Sequence, residues 1–201
     1  MLICEWVFAK QKNTDRMIVF FGPAGSGKSV QGQLLSARHG WRWLSAGQLL
    51  RDSKDEELHK IMSTGQLVPY EATNKLIGQA IGKAKDIDHL ILDGYPRELE
   101  QAKWLVNHKS DYGRDIGLVI VLEVPKSELL KRLELRGRVD DTPEAIEQRL
   151  QIYRQKMYPV LSYLNEQGVS IAHVDGVGTV GQVHDRIVNE LAAYGLSVEP
   201  K

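Results

Sequence analysis

Residues 22–29 read GPAGSGKS, a glycine-rich turn that ends in a lysine and a hydroxyl. The spacing fits G-x-x-x-x-G-K-[ST], which folds backbone N–H groups inward around phosphate oxygens. In that reading Gly22, Ala24, Gly25, Ser26 and Gly27 line a phosphate cradle, with Val30 just beyond it. Lys28 reaches the β- and γ-phosphates of a nucleoside triphosphate, and the Ser29 hydroxyl takes a place on Mg²⁺. By itself the turn does not separate a GTPase, an ATPase motor and a small kinase.

A second constellation lies at 90–102, LILDGYPRELEQA. Asp93 ends a buried strand, where a carboxylate can hold a Mg²⁺-bound water beside the cradle. Arg97 and Gln101 are four apart and are expected to share a helical face. Arginine meets a phosphate dianion bidentately, and a glutamine amide offers a base edge both a donor and an acceptor. Arg132 and Arg136 repeat the four-residue spacing further on.

Such residues need a scaffold. Short apolar runs at 17–21, 41–44, 89–92, 117–122 and 169–174 read as strands. Helical periodicity fills 28–39, 46–52, 55–64, 70–84, 98–108, 126–136, 143–166 and 180–193. Strands alternating with helices predict a parallel sheet covered on both faces. Thr142-Pro143 reads as an N-cap followed by proline at the first helical position. Ser127 is expected to cap the helix that carries Leu129 and Leu133, and Pro159 to kink or end its own. Residues 45–85 carry helical pattern without a strong strand and predict a small inserted lobe.

The composition limits partners. Lysine plus arginine equals aspartate plus glutamate, 26 each, so bulk charge points to neither nucleic acid nor a membrane surface. No apolar run is long enough to span a bilayer. The single cysteine, Cys4, excludes an internal disulfide, no Cys/His set has zinc spacing, and a reducing cytoplasm fits best. Residues 1–16 make a poor signal peptide and are expected to be a dispensable extension. Residues 194–201 are expected to be a tail.

Taken in order, GPAGSGKS, LSAGQLLRD, GQLVP, DGYPR with Gln101, and RGRVDD followed by Arg149 resemble the adenylate kinase family of nucleoside monophosphate kinases. That family includes the uridylate–cytidylate kinases. The resemblance spans residues 17–193. It implies a three-layer α/β P-loop kinase fold with a five-stranded parallel sheet, a nucleoside-monophosphate-binding lobe near 45–85 and a lid near 136–142. It also implies a monomer that binds Mg·ATP and a monophosphate, with no structural zinc.

By the same resemblance, Arg51 and Arg97 hold the acceptor phosphate, with Ser45, Ala46 and Gly94 in the same pocket. Gln66 and Val68 pass the acceptor base by backbone contacts, and Gln101 bonds its edge. Arg132 lies against the donor base and Arg136 on its phosphates, while Gly178, within 175–179, touches the donor adenine. Arg138 and Arg149 close on the transferred group with Lys28, and Asp140 and Asp141 orient those arginines or help the lid close.

Three departures from the family pattern stand out. Ser29-Val30 replaces the usual Gly-Thr. Ser45-Ala46-Gly47-Gln48 replaces Ser-Thr-Gly-Asp; its alanine is reminiscent of the pyrimidine branch, whereas Gln101 is reminiscent of the adenylate branch. AMP is the favoured acceptor, because the Gln101 amide has the stronger chemical argument; UMP or CMP is the alternative. The lid is very short, with Gly137 alone between Arg136 and Arg138, which predicts a somewhat leaky ATP hydrolysis without acceptor. A nucleotide-binding regulatory module without turnover is the reading from another class.

Overall fold

The computed structural model describes residues 15–138 and 140–196. The extension expected over 1–16 lies outside them except for Asp15 and Arg16, as does the tail after Leu196. Five strands form one parallel sheet in the order β2-β3-β1-β4-β5. They are β1 (Arg16–Phe21), β2 (Arg42–Ser45), β3 (His89–Asp93), β4 (Asp115–Glu123) and β5 (Ile171–Asp175). Eight α-helices are described: α1 (Lys28–His39), α2 (Ala46–Arg51), α3 (Glu56–Ser63), α4 (Tyr70–Gly82), α5 (Leu99–His108), α6 (Lys126–Arg136), α7 (Pro143–Glu166) and α8 (Val180–Ala193).

The sheet is buried on both faces. Along β1, Met17, Val19 and Phe21 enter one apolar cluster, and Ile18 and Phe20 enter the other. The first cluster takes in Ile77 and Ile81 of α4, Leu105 of α5 and Val160 and Leu164 of α7. The second takes in Leu35 of α1 and Ile187 and Leu191 of α8. A strand covered twice needs an apolar residue at every position, which is why β1, β3 and β4 read as nearly unbroken runs.

Some boundaries differ from expectation, each for a physical reason. Thr142 caps α7 through its side chain, with Pro143 in the first turn, as the sequence implied. Ser127 does not cap α6. The helix starts at Lys126, and the Pro125 carbonyl accepts from the N–H groups of Glu128 and Leu129. Nor does Pro159 end α7. It withholds one N–H from the ladder, but Val160 and Leu164 just beyond it are fully buried and keep the helix running to Glu166. β5 begins two residues later than its apolar run. Val169 N–H turns back to the Leu164 carbonyl, closing the end of α7, so Val169 packs there and does not enter the sheet.

The C-terminal ends of β1 and β3 open side by side, and α2, α3 and α4 lie between β2 and β3 in the chain. α6 ends at Arg136 and α7 begins at Pro143, so only six residues join the two helices.

Candidate active site

α1 starts at Lys28 behind Gly27, which sits at φ 98° and offers no side-chain cap. Its first-turn N–H groups therefore stay available to an anion, with the positive end of the helix dipole behind them. Lys28 folds back over the turn, and its Nζ donates to the carbonyls of Gly22 (2.6 Å) and Pro23 (2.9 Å) and to Ser26 Oγ (3.3 Å). Burial pushes the Lys28 pKa down to about 8, against the attraction of Asp93. Neutral carbonyls are weak company for an ammonium; phosphate oxygens are better partners.

Asp93 closes β3 and is 3% exposed. Its Oδ2 accepts from Ser29 Oγ at 2.6 Å and from the Trp43 indole Nε1 at 3.2 Å. These are two hard oxygen groups beside the phosphate turn. Among the described residues no cluster of three or more His, Cys, Asp or Glu is placed to hold a metal. A donor set of that kind suits Mg²⁺, which keeps water and phosphate as most of its ligands.

On the other side of the opening, Arg51 ends α2, and its Nη2 donates to Gln48 Oε1 at 3.1 Å. Gln48 in turn holds Asp52 through its amide nitrogen at 2.7 Å. The Ser45 hydroxyl is used as the N-cap of α2, accepting from Gln48 N–H. Arg97 does not share a helical face with Gln101. α5 begins at Leu99, after Glu98 in extended geometry, so Arg97 lies in the loop that follows the cis Tyr95–Pro96 bond. The two still meet, because Arg97 N–H donates to Gln101 Oε1 at 2.7 Å. The Arg97 guanidinium folds over Gly94, with Nε 2.8 Å from the Gly94 carbonyl. Gly94 has φ 69°, and a Cβ there would sit 2.8 Å from Arg97 Nη2, so glycine is what lets the arginine lie down.

The arginines beside the short connection are paired with carboxylates. Arg136 makes two bonds to Asp141, at 2.8 and 2.6 Å. Arg149, on α7, reaches Asp141 at 2.8 Å, Asp140 at 2.7 Å and the Met62 carbonyl of α3 at 3.3 Å. Burial pushes the Asp141 carboxyl up, but the bonds and charges of Arg136 and Arg149 outweigh it and hold it below the usual carboxylate range. Arg132 pairs with Glu128 (2.8 Å) and donates to the Gly176 carbonyl (3.0 Å). Partial desolvation lowers the Arg138 pKa, helped by the like charges of Arg136 and Arg51 and opposed by Asp140 and Asp141.

Lys28, Ser29, Asp93 and the six arginines line one cavity of about 550 Å³, while Trp43, Gln48, Asp52 and Asp141 support it from behind. Its wall includes Gly22, Ala24, Gly25, Ser26, Gly27, Lys28, Ser29, Val30, Asp93, Arg132, Arg136 and Gly178 on one side. Ser45, Ala46, Arg51, Gln66, Val68, Gly94, Arg97, Gln101, Arg138 and Arg149 complete the sequence-expected set. The sequence reading did not name Thr73, which lines the cavity at 4% exposure, or Tyr153 and Met157, which also line it. The last two lie four and eight residues after Arg149 on α7, a helical spacing that carried the signal. Trp43 had no such signal, because only the pairing of β2 with β3 brings it to Asp93.

A family model described as adenylate kinase matches residues 20–169. The chain is 38% identical over 175 residues to a protein named adenylate kinase from Mycolicibacterium paratuberculosis, covering 84% of this chain and 95% of the relative. It is 37% identical over 180 residues to one of the same name from Mycobacterium leprae, covering 87% and 98%. A third of that name, from Thermus thermophilus, is 37% identical over 185 residues, covering 87% and 96%.

Proposed function

The chain belongs to the adenylate kinase family and is a nucleoside monophosphate kinase, and from that premise we propose that it moves a phosphoryl group reversibly between Mg·ATP and AMP, giving two ADP. The observation that carries the choice of base is the bond from Arg97 N–H to Gln101 Oε1. A backbone N–H can only meet the amide oxygen, so the bond fixes which way the buried amide points. Gln101 then presents a donor, Nε2, beside an oxygen with a lone pair to spare. Adenine N1 and its exocyclic amine match that pattern. Cytosine N3 and its amine match it too, but uracil and guanine present the reverse.

The remaining roles follow from charge and position. Lys28 trades its carbonyl contacts for the donor's β- and γ-phosphates. Arg51 and Arg97 fix the acceptor phosphate, and Arg138 and Arg149 meet the charge on the group in transit. Ser29 and Asp93 would hold Mg²⁺ with its water, and the bound ion supplies charge neutralisation and alignment of the triphosphate. No general base is required, since the acceptor oxygen already carries charge. The cavity walls exclude water from the anhydride, and the 137–142 connection acts as a minimal lid between the sheet domain and the 45–85 lobe.

A monomer, which the family resemblance implies, in a reducing cytoplasm, which a chain with a single cysteine fits, completes the reading. The test is phosphoryl transfer from Mg·ATP to AMP, dAMP, CMP, UMP and GMP, with Lys28→Ala and a no-acceptor blank alongside. AMP is expected to lead UMP and GMP by at least tenfold. A lead for UMP overturns the Gln101 argument, and ATP binding without transfer to any acceptor leaves a regulatory module.

A further inference from the structure

Asp93 Oδ2 accepts two hydrogen bonds, and only one of them comes from the phosphate turn. The other donor is Trp43 Nε1, 3.2 Å away on the neighbouring strand β2. The ring fits there because residue 32, one turn into α1, is glycine. A Cβ on Gly32 would lie 2.5 Å from Trp43 Cδ1 and 2.9 Å from Nε1. No other residue at position 32 is compatible with the indole in its present place. A mid-helix glycine also costs about 0.5–1 kcal/mol relative to alanine, so its presence in α1 calls for a reason.

We propose that Trp43 is a positioning residue for the metal-side carboxylate, and that Gly32 serves to admit its ring. With the Ser29 hydroxyl and the Trp43 N–H both on Oδ2, the Asp93 carboxylate cannot rotate freely. Oδ1 is then the oxygen left for an incoming ligand, and the Ser29 oxygen keeps its lone pairs because its proton is already committed. A carboxylate fixed before the nucleotide arrives loses less freedom on binding. The inference rests on the reading of Ser29 and Asp93 as the side that holds Mg²⁺.

The probe is Mn²⁺, titrated into the ATP-loaded full chain and read by the electron paramagnetic resonance of the free ion, so that no turnover is needed. Trp43→Phe removes the N–H and keeps an aromatic ring; Gly32→Ala pushes the indole away. Each is expected to weaken Mn²⁺ binding to the ATP complex by about tenfold, while ATP affinity without metal stays within about twofold. Asp93→Asn is the reference.

If Asp93→Asn weakens Mn²⁺ binding and Trp43→Phe does not, the positioning role is overturned and the metal-side reading stands. If Asp93→Asn has no effect, both fall. If Trp43→Phe lowers metal-free ATP affinity as much as Mn²⁺ affinity, Trp43 is packing only, and the proposal fails. Should Trp43→Phe not fold, hydrogen exchange of the wild-type Trp43 indole decides. Protection is the expected result, and exchange at the rate of a free indole overturns the proposal.

Discussion

The cavity holds two kinds of arginine. Arg132, Arg136 and Arg149 each form an ion pair with a carboxylate, to Glu128, Asp141 or Asp140. Arg51, Arg97 and Arg138, among the described residues, form none. Arg51 rests on the Gln48 amide, Arg97 on the Gly94 carbonyl, and Arg138 is set against the charges of Arg136 and Arg51. The paired set is held in place before any ligand arrives, and a phosphate must share it with carboxylates that are already there. The unpaired set feels like charges from its arginine neighbours, offset only by carboxylates beyond ion-pair contact, and an arriving dianion supplies the direct partner. Preorganisation thus sits with Arg132 and Arg136 on α6 and Arg149 on α7, while the unpaired set comprises Arg51 at the end of α2, Arg97 just before α5 and Arg138 in the connection that follows α6.

Substitutions should separate the two sets. Arg97→Ala removes an unpaired charge with no carboxylate left behind. Turnover is expected to fall on the order of 10³-fold with the melting temperature unchanged or slightly raised. A drop in thermal stability would mean that Arg97 is structural.

Asp141→Asn acts on the paired set. It loosens Arg136 and Arg149 together, and turnover is expected to fall on the order of 30-fold through lost alignment. This variant should also lose stability at neutral pH. The folded Asp141 carboxyl lies below its ordinary value. Its contribution to stability is therefore present above about pH 4 and disappears as pH falls through the lowered value. Melting curves of the wild type should show that acid-side loss, and the asparagine variant should lack it.

Much of the scaffold behind this contrast was legible in the sequence. GPAGSGKS between an apolar run and a helical one fixes the phosphate turn, because both neighbours follow from local periodicity. The long helix survived its proline because burial beyond it decides, and Val160 and Leu164 are apolar at helical spacing. What local pattern does not encode is which partner a side chain finds across the sheet. The Trp43–Asp93 bond depends on strand order, and the meeting of Arg97 with Gln101 depends on a loop and not on the helical face that their spacing suggests. The resemblance gave Asp140 and Asp141 to Arg138 and Arg149 together, but which arginine they would hold was open; they pair with Arg149, eight and nine residues on in α7, and form no ion pair with Arg138.

Lys28 belongs to neither set, having carbonyls for partners, and its proton reports on that. With a pKa near 8 in the free protein, it begins to lose charge as pH rises through that value. Bound phosphates favour the ammonium, so nucleotide binding near pH 9 should take up close to one proton, and at pH 7 almost none. Calorimetry in buffers of different ionisation enthalpy measures that uptake, and ATP affinity should be roughly tenfold lower at pH 9 than at pH 7. No uptake at pH 9 would place Lys28 outside the phosphate site.

The smallest effect sharpens the comparison most. Gln48 is what holds Arg51 in the absence of a carboxylate, and its amide nitrogen is itself steadied by Asp52. Gln48→Ala leaves Arg51 its charge and removes its rest. The acceptor KM is expected to rise about threefold, the size of one modest hydrogen bond, with kcat little changed. Gln48→Asp gives the opposite reading, because it turns Arg51 into a paired arginine. It should hold the guanidinium more firmly but make the acceptor phosphate compete with a carboxylate. If the unpaired state of Arg51 matters for acceptor capture, the aspartate variant binds AMP no better than wild type despite its firmer arginine. If the aspartate variant binds AMP more tightly, preorganisation outweighs charge relief on this side too, and the contrast between the two sets of arginines loses its functional meaning.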